Sequence, residues 1–328
     1  MNPSRRTFSY AILATALTLS VSASFAQNSN WPSQPIRLVV PYTPGGGTDT
    51  VARLVAEKMS ASSKWSILVD NKPGANGNIG MDAVAKSKPD GYTIGMGQTA
   101  NLAINPALIP KMPFDASKDL IPVALVAELP TVMVVRADSP WKTLADAVNA
   151  AKSKPGQVKQ ALAGNGTVGH LAGEMLSRRA GIQVLNIPYK GAAPAINELI
   201  GGQTDYMFAT PQSVTGMIKG GKVRALAVTS QKRISSLPDV PTVAEAGYKD
   251  FVAMDWKVLM APAGTPADIV KRLNAEVAKA LTQPELMAKL DAEGSIPMSG
   301  TPEQAASFIK AEQVKWGNLI REAGIKAD

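Results

Sequence analysis

The sequence predicts an α/β protein of two lobes around a ligand cleft, and three observations carry that prediction. Apolar runs and amphipathic segments follow a βαβαβ order over residues 36–101. The same order returns over residues 158–208. Two further apolar segments, 121–135 and 251–260, fit neither copy and read as crossovers between lobes. The lobes are then 27–128 with 251–328, and 129–250. Strands alternating with helices imply parallel sheets with right-handed crossovers, whose ligands bind outside the carboxyl ends of the strands. A lobe interrupted by another and joined to it by two extended segments is a hinged clamshell, and its cleft is the expected site.

In chain order, residues 1–26 carry Arg5 and Arg6, an apolar run, and Ser22-Ala23-Ser24-Phe25-Ala26, the pattern of a secretory signal peptide cleaved near Ala26. Ser4-Arg5-Arg6-Thr7-Phe8 also fits a twin-arginine signal, so both export routes stay open. No later run approaches the roughly 20 apolar residues of a membrane helix, so the mature chain is expected free in the periplasm and not membrane-embedded. The absence of cysteine excludes disulfides, thiolate metal sites, a cysteine nucleophile and a lipid anchor on cysteine. The net charge of +8 falls to +6 once Arg5 and Arg6 are removed, since the leader holds no acid. Its basic residues are scattered without interleaved aromatics, which argues against a nucleic-acid surface.

The first copy opens with Ile36, Leu38, Val39 and Val40 as a buried strand. Pro41-Tyr42-Thr43-Pro44-Gly45-Gly46-Gly47-Thr48-Asp49 follows, and Val51, Ala52, Leu54, Val55 and Met59 then fall at helical spacing. Three glycines at a helix start leave bare amides at the positive end of the helix dipole, which suits an anion. The same stretch also reads as a tight turn capped by Thr48 or Asp49. Next come a strand at 65–69, a loop at 71–78, a helix near 79–86 and a strand at 92–96 ending in Gly97-Gln98-Thr99-Ala100-Asn101. The second copy places strands at 158–162, 183–187 and 205–208, with helices at 170–178 and 194–200. Helices at 266–281, 284–293 and 302–323, each with proline at its start, return to the first lobe.

Gly164-Asn165-Gly166-Thr167-Val168-Gly169 matches the dinucleotide fingerprint literally, but the next strand ends in Asn186-Ile187-Pro188 without the acid that would hold a ribose. A second anion cradle facing the first is the better reading. His170 is the only histidine, which excludes a multi-histidine metal site; it is either a satisfied helix-start side chain or a ligand donor. No G-x-S-x-G elbow and no spaced acid pair marks a catalytic centre, so no enzyme activity and no cofactor are expected. Tyr189-Lys190-Gly191 offers a phenol, a cation and a close-approach glycine at a strand end. Trp256 either walls the cleft or packs in the hinge.

VVPYTPGGGTDTVAR, DNKPGANGNIG, GNGTVGHLAGEM, NIPYKGAAPAINELIGGQTDYMF, RALAVTSQKRISSLPDVPTVAEAG and APAGTP occur in this order, and together they resemble the extracytoplasmic solute receptors of the tripartite tricarboxylate transporter system, the Bug family. The resemblance implies a periplasmic binding protein fold, type II-like, that holds a small organic carboxylate and passes it to membrane transporter subunits as a monomer. Carried over, it points to Tyr42, Gly46, Gly47, Thr48, Asp49, Thr99 and Asn101 on the first lobe, and to Asn165, Thr167, His170, Tyr189, Lys190 and Gly191 on the second. Ala163-Gly164-Asn165 and Ala209-Thr210-Pro211 depart from the family pattern at positions facing the variable end of the ligand. A sensor presenting ligand to a signalling kinase, and an exported dinucleotide-dependent oxidoreductase, are the alternatives.

Overall fold

The computed structural model describes residues 31–326; the expected signal peptide lies outside the described residues. The chain runs through β1 (Ile36–Val40), α1 (Gly47–Ser63), β2 (Ile67–Asn71), a short turn of helix at Ala75–Gly77, α2 (Asn78–Ala85), β3 (Thr93–Gln98), a wide π turn at Ala100–Ile104, α3 (Asn105–Leu108) and β4 (Leu120–Pro130). It continues with β5 (Val132–Arg136), α4 (Leu144–Ser153), β6 (Lys159–Leu162), α5 (Val168–Ala180), β7 (Leu185–Pro188), α6 (Ala192–Ile200), β8 (Tyr206–Ala209), α7 (Pro211–Lys219) and β9 (Val223–Val228). β10 (Met254–Pro262), α8 (Ala267–Leu281), α9 (Pro284–Ala292), β11 (Ile296–Pro297) and α10 (Pro302–Ala323) complete it.

The strands form a six-stranded sheet in the order β11-β4-β10-β3-β1-β2 and a five-stranded sheet in the order β7-β6-β8-β5-β9. β1 pairs parallel with β2 and β3, and β6 pairs parallel with β7 and β8. The expectation of parallel sheets needs correction, because β10 runs antiparallel to both β3 and β4, and β5 runs antiparallel to both β8 and β9. The segments read as bare crossovers are therefore interior strands. The reason is geometric: parallel strands end at the cleft, so a segment arriving from the other lobe enters at that edge and must run against them. Setting β11 aside, both sheets share one order, and each takes its reversed strand from the segment that crosses the cleft.

One residue, Thr131, separates β4 from β5. Its amide donates to Thr229 Oγ1 at 2.8 Å, and the Thr229 hydroxyl donates to Ala253 O at 2.6 Å. The Thr229 amide donates to Thr131 O at 2.9 Å and the Ala253 amide to Thr229 O at 3.1 Å. Both threonines are buried, so the two crossings are tied together by hydrogen bonds that water does not reach.

Of the C-terminal helices, α8 and α10 pack on the six-stranded sheet through β4, and α9 packs against β11 and α1. In α10, Ala305, Ile309, Trp316 and Ile320 recur at helical spacing and are all buried. Thr301 caps that helix reciprocally with Gln304, and Pro302 occupies the first turn, where its missing N–H costs nothing. Full burial of an Ile or Val side chain stabilises by about 1.5–3 kcal/mol, so these faces anchor the returning chain firmly. No helix of the described residues is long and apolar enough to cross a membrane.

Candidate functional site in the inter-lobe cleft

The glycine turn after β1 is held open by its own side chains. Asp49 Oδ2 accepts from the Gly45 amide and from Arg53 Nε, each at 2.9 Å, while Oδ1 accepts from Asn71 Nδ2 at 2.9 Å. Burial pushes the Asp49 carboxyl up, but these hydrogen bonds and the Arg53 charge outweigh it and hold the carboxyl below the usual carboxylate range. Asp49 is thus a brace that fixes the loop. The first bond within α1 runs from the Thr50 amide to Gly46 O at 2.9 Å, so the Gly46, Gly47 and Thr48 amides precede the helical ladder and take no acceptor among the described residues. They are the donors available to an anion. The Thr48 hydroxyl donates to Gln98 Oε1 at the end of β3.

Below this turn lies a network of amides and one phenol. Tyr42 donates to Asn76 O at 3.1 Å, Asn101 Nδ2 donates to Tyr42 Oη at 3.4 Å, and Asn101 Oδ1 accepts the Gln98 amide at 3.0 Å. Asn105 Nδ2 joins Asn78 Oδ1 at 2.7 Å and Asn76 O at 3.2 Å. Burial and the nearby Asp255 charge raise the Tyr42 pKa well above that of a free phenol, against the hydrogen bonds from Asn101 and Gln98, so Tyr42 stays a neutral donor. Gly77 has φ +87°, and a Cβ there would sit 2.5 Å from Asn101 Nδ2 and 2.7 Å from Tyr42 Oη. Only glycine lets the two meet. Thr99, expected among the ligand donors, accepts the Trp256 amide at 2.8 Å and donates to Met254 O, which ties β3 to β10.

On the facing edge, Thr167 caps α5: its hydroxyl accepts from the His170 amide and donates to Gly164 O at 2.9 Å. His170 Nδ1 accepts the Gly166 amide at 3.2 Å, which places its ring proton on Nε2, 3.8 Å from Glu174 Oε1. The buried imidazole shapes the loop. Asn165 and Tyr189 are half-buried there, Lys190 is exposed, and the Gly191 amide donates to Ala163 O at 3.0 Å. Underneath, Gln160 donates to Gly169 O and accepts from Tyr206.

Glycines of both edges meet the opposite lobe across the cleft. A Cβ on Gly47 would lie 3.7 Å from the Gln212 carboxamide, and one on Gly166 would lie 2.6 Å from Leu108 Cδ2. The fingerprint-like glycines of the second lobe therefore serve close packing: Gly166 against α3, and Gly169 against Phe208 O, where a Cβ would come within 2.3 Å. Trp256 belongs to the hinge. It is fully buried, donates to Glu312 Oε2 at 2.9 Å and stacks edge-on against Phe308.

Three features were missed in the sequence: Asn76, Asn78 and Asn105 beneath the turn, the buried Lys257–Asp255 pair on β10, and Gln212. Gln212 follows the third strand of the second copy, as Thr99 and Asn101 follow that of the first, so the internal duplication held a signal for it.

Two α/β sheets of like topology, hinged by exchanged strands and presenting glycine-rich helix starts to a shared cleft, make this a periplasmic binding protein fold. The model of the tripartite tricarboxylate transporter family receptor matches residues 51–325. BugT of Bordetella pertussis is 36% identical over 317 residues, 96% of this chain and 97% of its own. Two solved structures from Rhodopseudomonas palustris superpose closely: Rpa4515 with adipate (34% identity, TM-score 0.83, 90% of this chain and 99% of that one), and MatC with bound malate (33%, 0.78, 88% and 99%). The chain belongs to the tripartite tricarboxylate transporter receptor family.

Proposed function

We propose that this chain is a periplasmic, non-enzymatic receptor that captures a small organic carboxylate between its lobes and delivers it, as a monomer, to the membrane subunits of a tripartite tricarboxylate-type transporter. The observation that carries the reading is the braced glycine turn, whose Gly46, Gly47 and Thr48 amides stand at the start of α1 with no acceptor among the described residues. Tyr42 and Asn101 support that turn from below. Asn165, Thr167, Tyr189, Lys190 and Gly191 supply the opposing wall, and Asp49, Thr99 and His170 hold the walls in shape. The lobes divide at 27–128 with 251–328, and 129–250, a reading supported by the two sheets and the Thr131–Thr229 tie. Charge-assisted hydrogen bonds contribute roughly 1.5–3 kcal/mol each, so three on one carboxylate supply about 4.5–9 kcal/mol, and the contacts to the rest of the ligand must offset the cost of association before binding reaches about micromolar.

The test is a thermal-shift panel on refolded, ligand-free protein with aliphatic di- and tricarboxylates, aromatic acids and acidic amino acids, and NAD and NADP alongside. A ligand at about 100 times its Kd adds about 2.7 kcal/mol, which for a chain of this size raises the midpoint by at least about 5 °C. A rise with NAD and none across the acids would overturn the receptor reading.

A further inference from the structure

Gln212 stands where the second lobe closes over the glycine turn. It sits in the first turn of α7, directly after the carboxyl end of β8, and reaches the opposite lobe on two sides. Its carboxamide lies 3.7 Å from the position of a Cβ on Gly47, and its Nε2 reaches Ser295 Oγ at 3.5 Å. Pro211, its neighbour, packs against Gly294, so the turn before β11 fixes the start of α7 in place. The amide nitrogen is turned to Ser295, and the other end of the group is the anomaly: Gln212 Oε1 is buried and has no donor among the described residues. A buried carbonyl left without a donor is disfavoured, and here it lies 3.9 Å from the position of a Cβ on Gly47, beside the anion cradle. Asp255 Oδ1 is likewise buried without a donor; its partner oxygen takes Lys257, and its charge acts on Tyr42. Each lobe thus contributes an acceptor lacking a proton donor near the cleft.

We infer that Gln212 is a specificity-determining residue that reads a hydrogen-bond donor on the ligand, a hydroxyl or an ammonium close to the carboxylate held by the glycine turn. The favoured ligands are hydroxy acids or amino acids, and unsubstituted acids of the same length leave the Gln212 oxygen unpaired in the closed state. The inference rests on the carboxylate-receptor reading and narrows it to a substrate class. A site built to bond a hydroxyl or amine rejects the analogue without it, because the protein group is then stranded.

The experiment uses matched sets at three chain lengths: succinate, glutarate and adipate, each beside its 2-hydroxy and 2-amino counterpart, titrated calorimetrically into ligand-free wild-type protein. At the accepted length a hydroxy or amino acid is expected to bind at least about tenfold more tightly than the plain acid, and the two arms show which donor is read. Gln212→Met should bring donor-bearing and plain acids to within about threefold of one another, whereas Gln212→Glu, which keeps an acceptor there, should retain the preference. Unliganded melting of both variants near that of wild type establishes that they fold. Plain acids bound as tightly as their substituted counterparts, or a preference that survives Gln212→Met, overturns the inference while the receptor reading stands. Binding by none of these acids overturns the inference, and the receptor reading falls with it only if the wider panel of tricarboxylates and aromatic acids also gives no thermal shift.

Discussion

Two glycines of the cleft separate support from contact. Gly77 is in the left-handed region, with Asn101 and Tyr42 where its Cβ would be, so Gly77→Ala strains the backbone and displaces the network under the turn. Its expected cost is about 1–3 kcal/mol of folding stability by chemical denaturation, with weaker ligand binding as a consequence. Gly47 is different: it begins α1 in helical backbone, and a Cβ there would make only ordinary contact with Gln212. Gly47→Ala should leave unliganded melting unchanged or slightly raised, since alanine favours the helix, while reducing affinity about tenfold, or about 1.4 kcal/mol, because the methyl stands before the amides. A folded Gly47→Ala protein with wild-type affinity would remove this turn from the site. At this scale the sequence was legible in the glycine turn and its Asp49, which act on near neighbours; the Thr167–His170 cap is equally local, but Thr167 was expected as a ligand contact. Gln212 and Asn105 were not, because their partners lie tens of residues or more away and no local pattern marks the pairing; Lys257 pairs with Asp255 two residues before it, but an i, i+2 charge pair on a strand does not by itself say that it is buried.

Among the elements, the strands of both copies lie close to where the apolar runs place them; β1, β3, β6 and β8 are buried on both faces and leave a strong signal, while the edge strands β2 and β7 are only partly covered. Helix starts were readable from proline and caps, and α4 carries its own signal in the Thr143–Asp146 box. The direction of β5 and β10 was not readable, because an apolar strand has the same composition whichever way it runs. Their joint control lies with Thr229, which accepts from one crossing and donates to the other. Thr229→Val keeps the shape and removes both bonds, leaving the Thr131 amide buried without its side-chain acceptor. The expected loss is about 1–3 kcal/mol, read from the urea midpoint at unchanged slope. A midpoint equal to wild type would mean that the hinge does not depend on this tie.

The whole molecule is seen with its lobes touching, at Gly47–Gln212, Gly166–Leu108 and Gly294–Pro211, and with Ser235 of the second lobe bonded to Asp291 of α9. Donors split between two lobes act together only in that closed arrangement, so ligand should shift the population towards it. Moving from mostly open to mostly closed takes about 5.5 kcal/mol of differential binding. Small-angle scattering of ligand-free protein should therefore report a more extended particle than this structure, and saturating acid should bring the profile to it. Superimposable profiles with and without ligand would establish a rigid cleft and sink the closure.

The exchange of β5 and β10 also sets the order in which a nascent chain can assemble. β10 lies between β3 and β4, and its Trp256 meets Thr99 across 157 residues of sequence. The first sheet, although its strands leave the ribosome first, lacks an interior strand until nearly the whole second lobe has been made, and β3 and β4 wait with unpaired edges. Contacts of such long range close slowly, which keeps the growing polypeptide unfolded for most of its synthesis. A chain that stays loose until its last quarter emerges leaves those edges open to pairing with another strand, so the exchange that locks the finished fold is also what delays it.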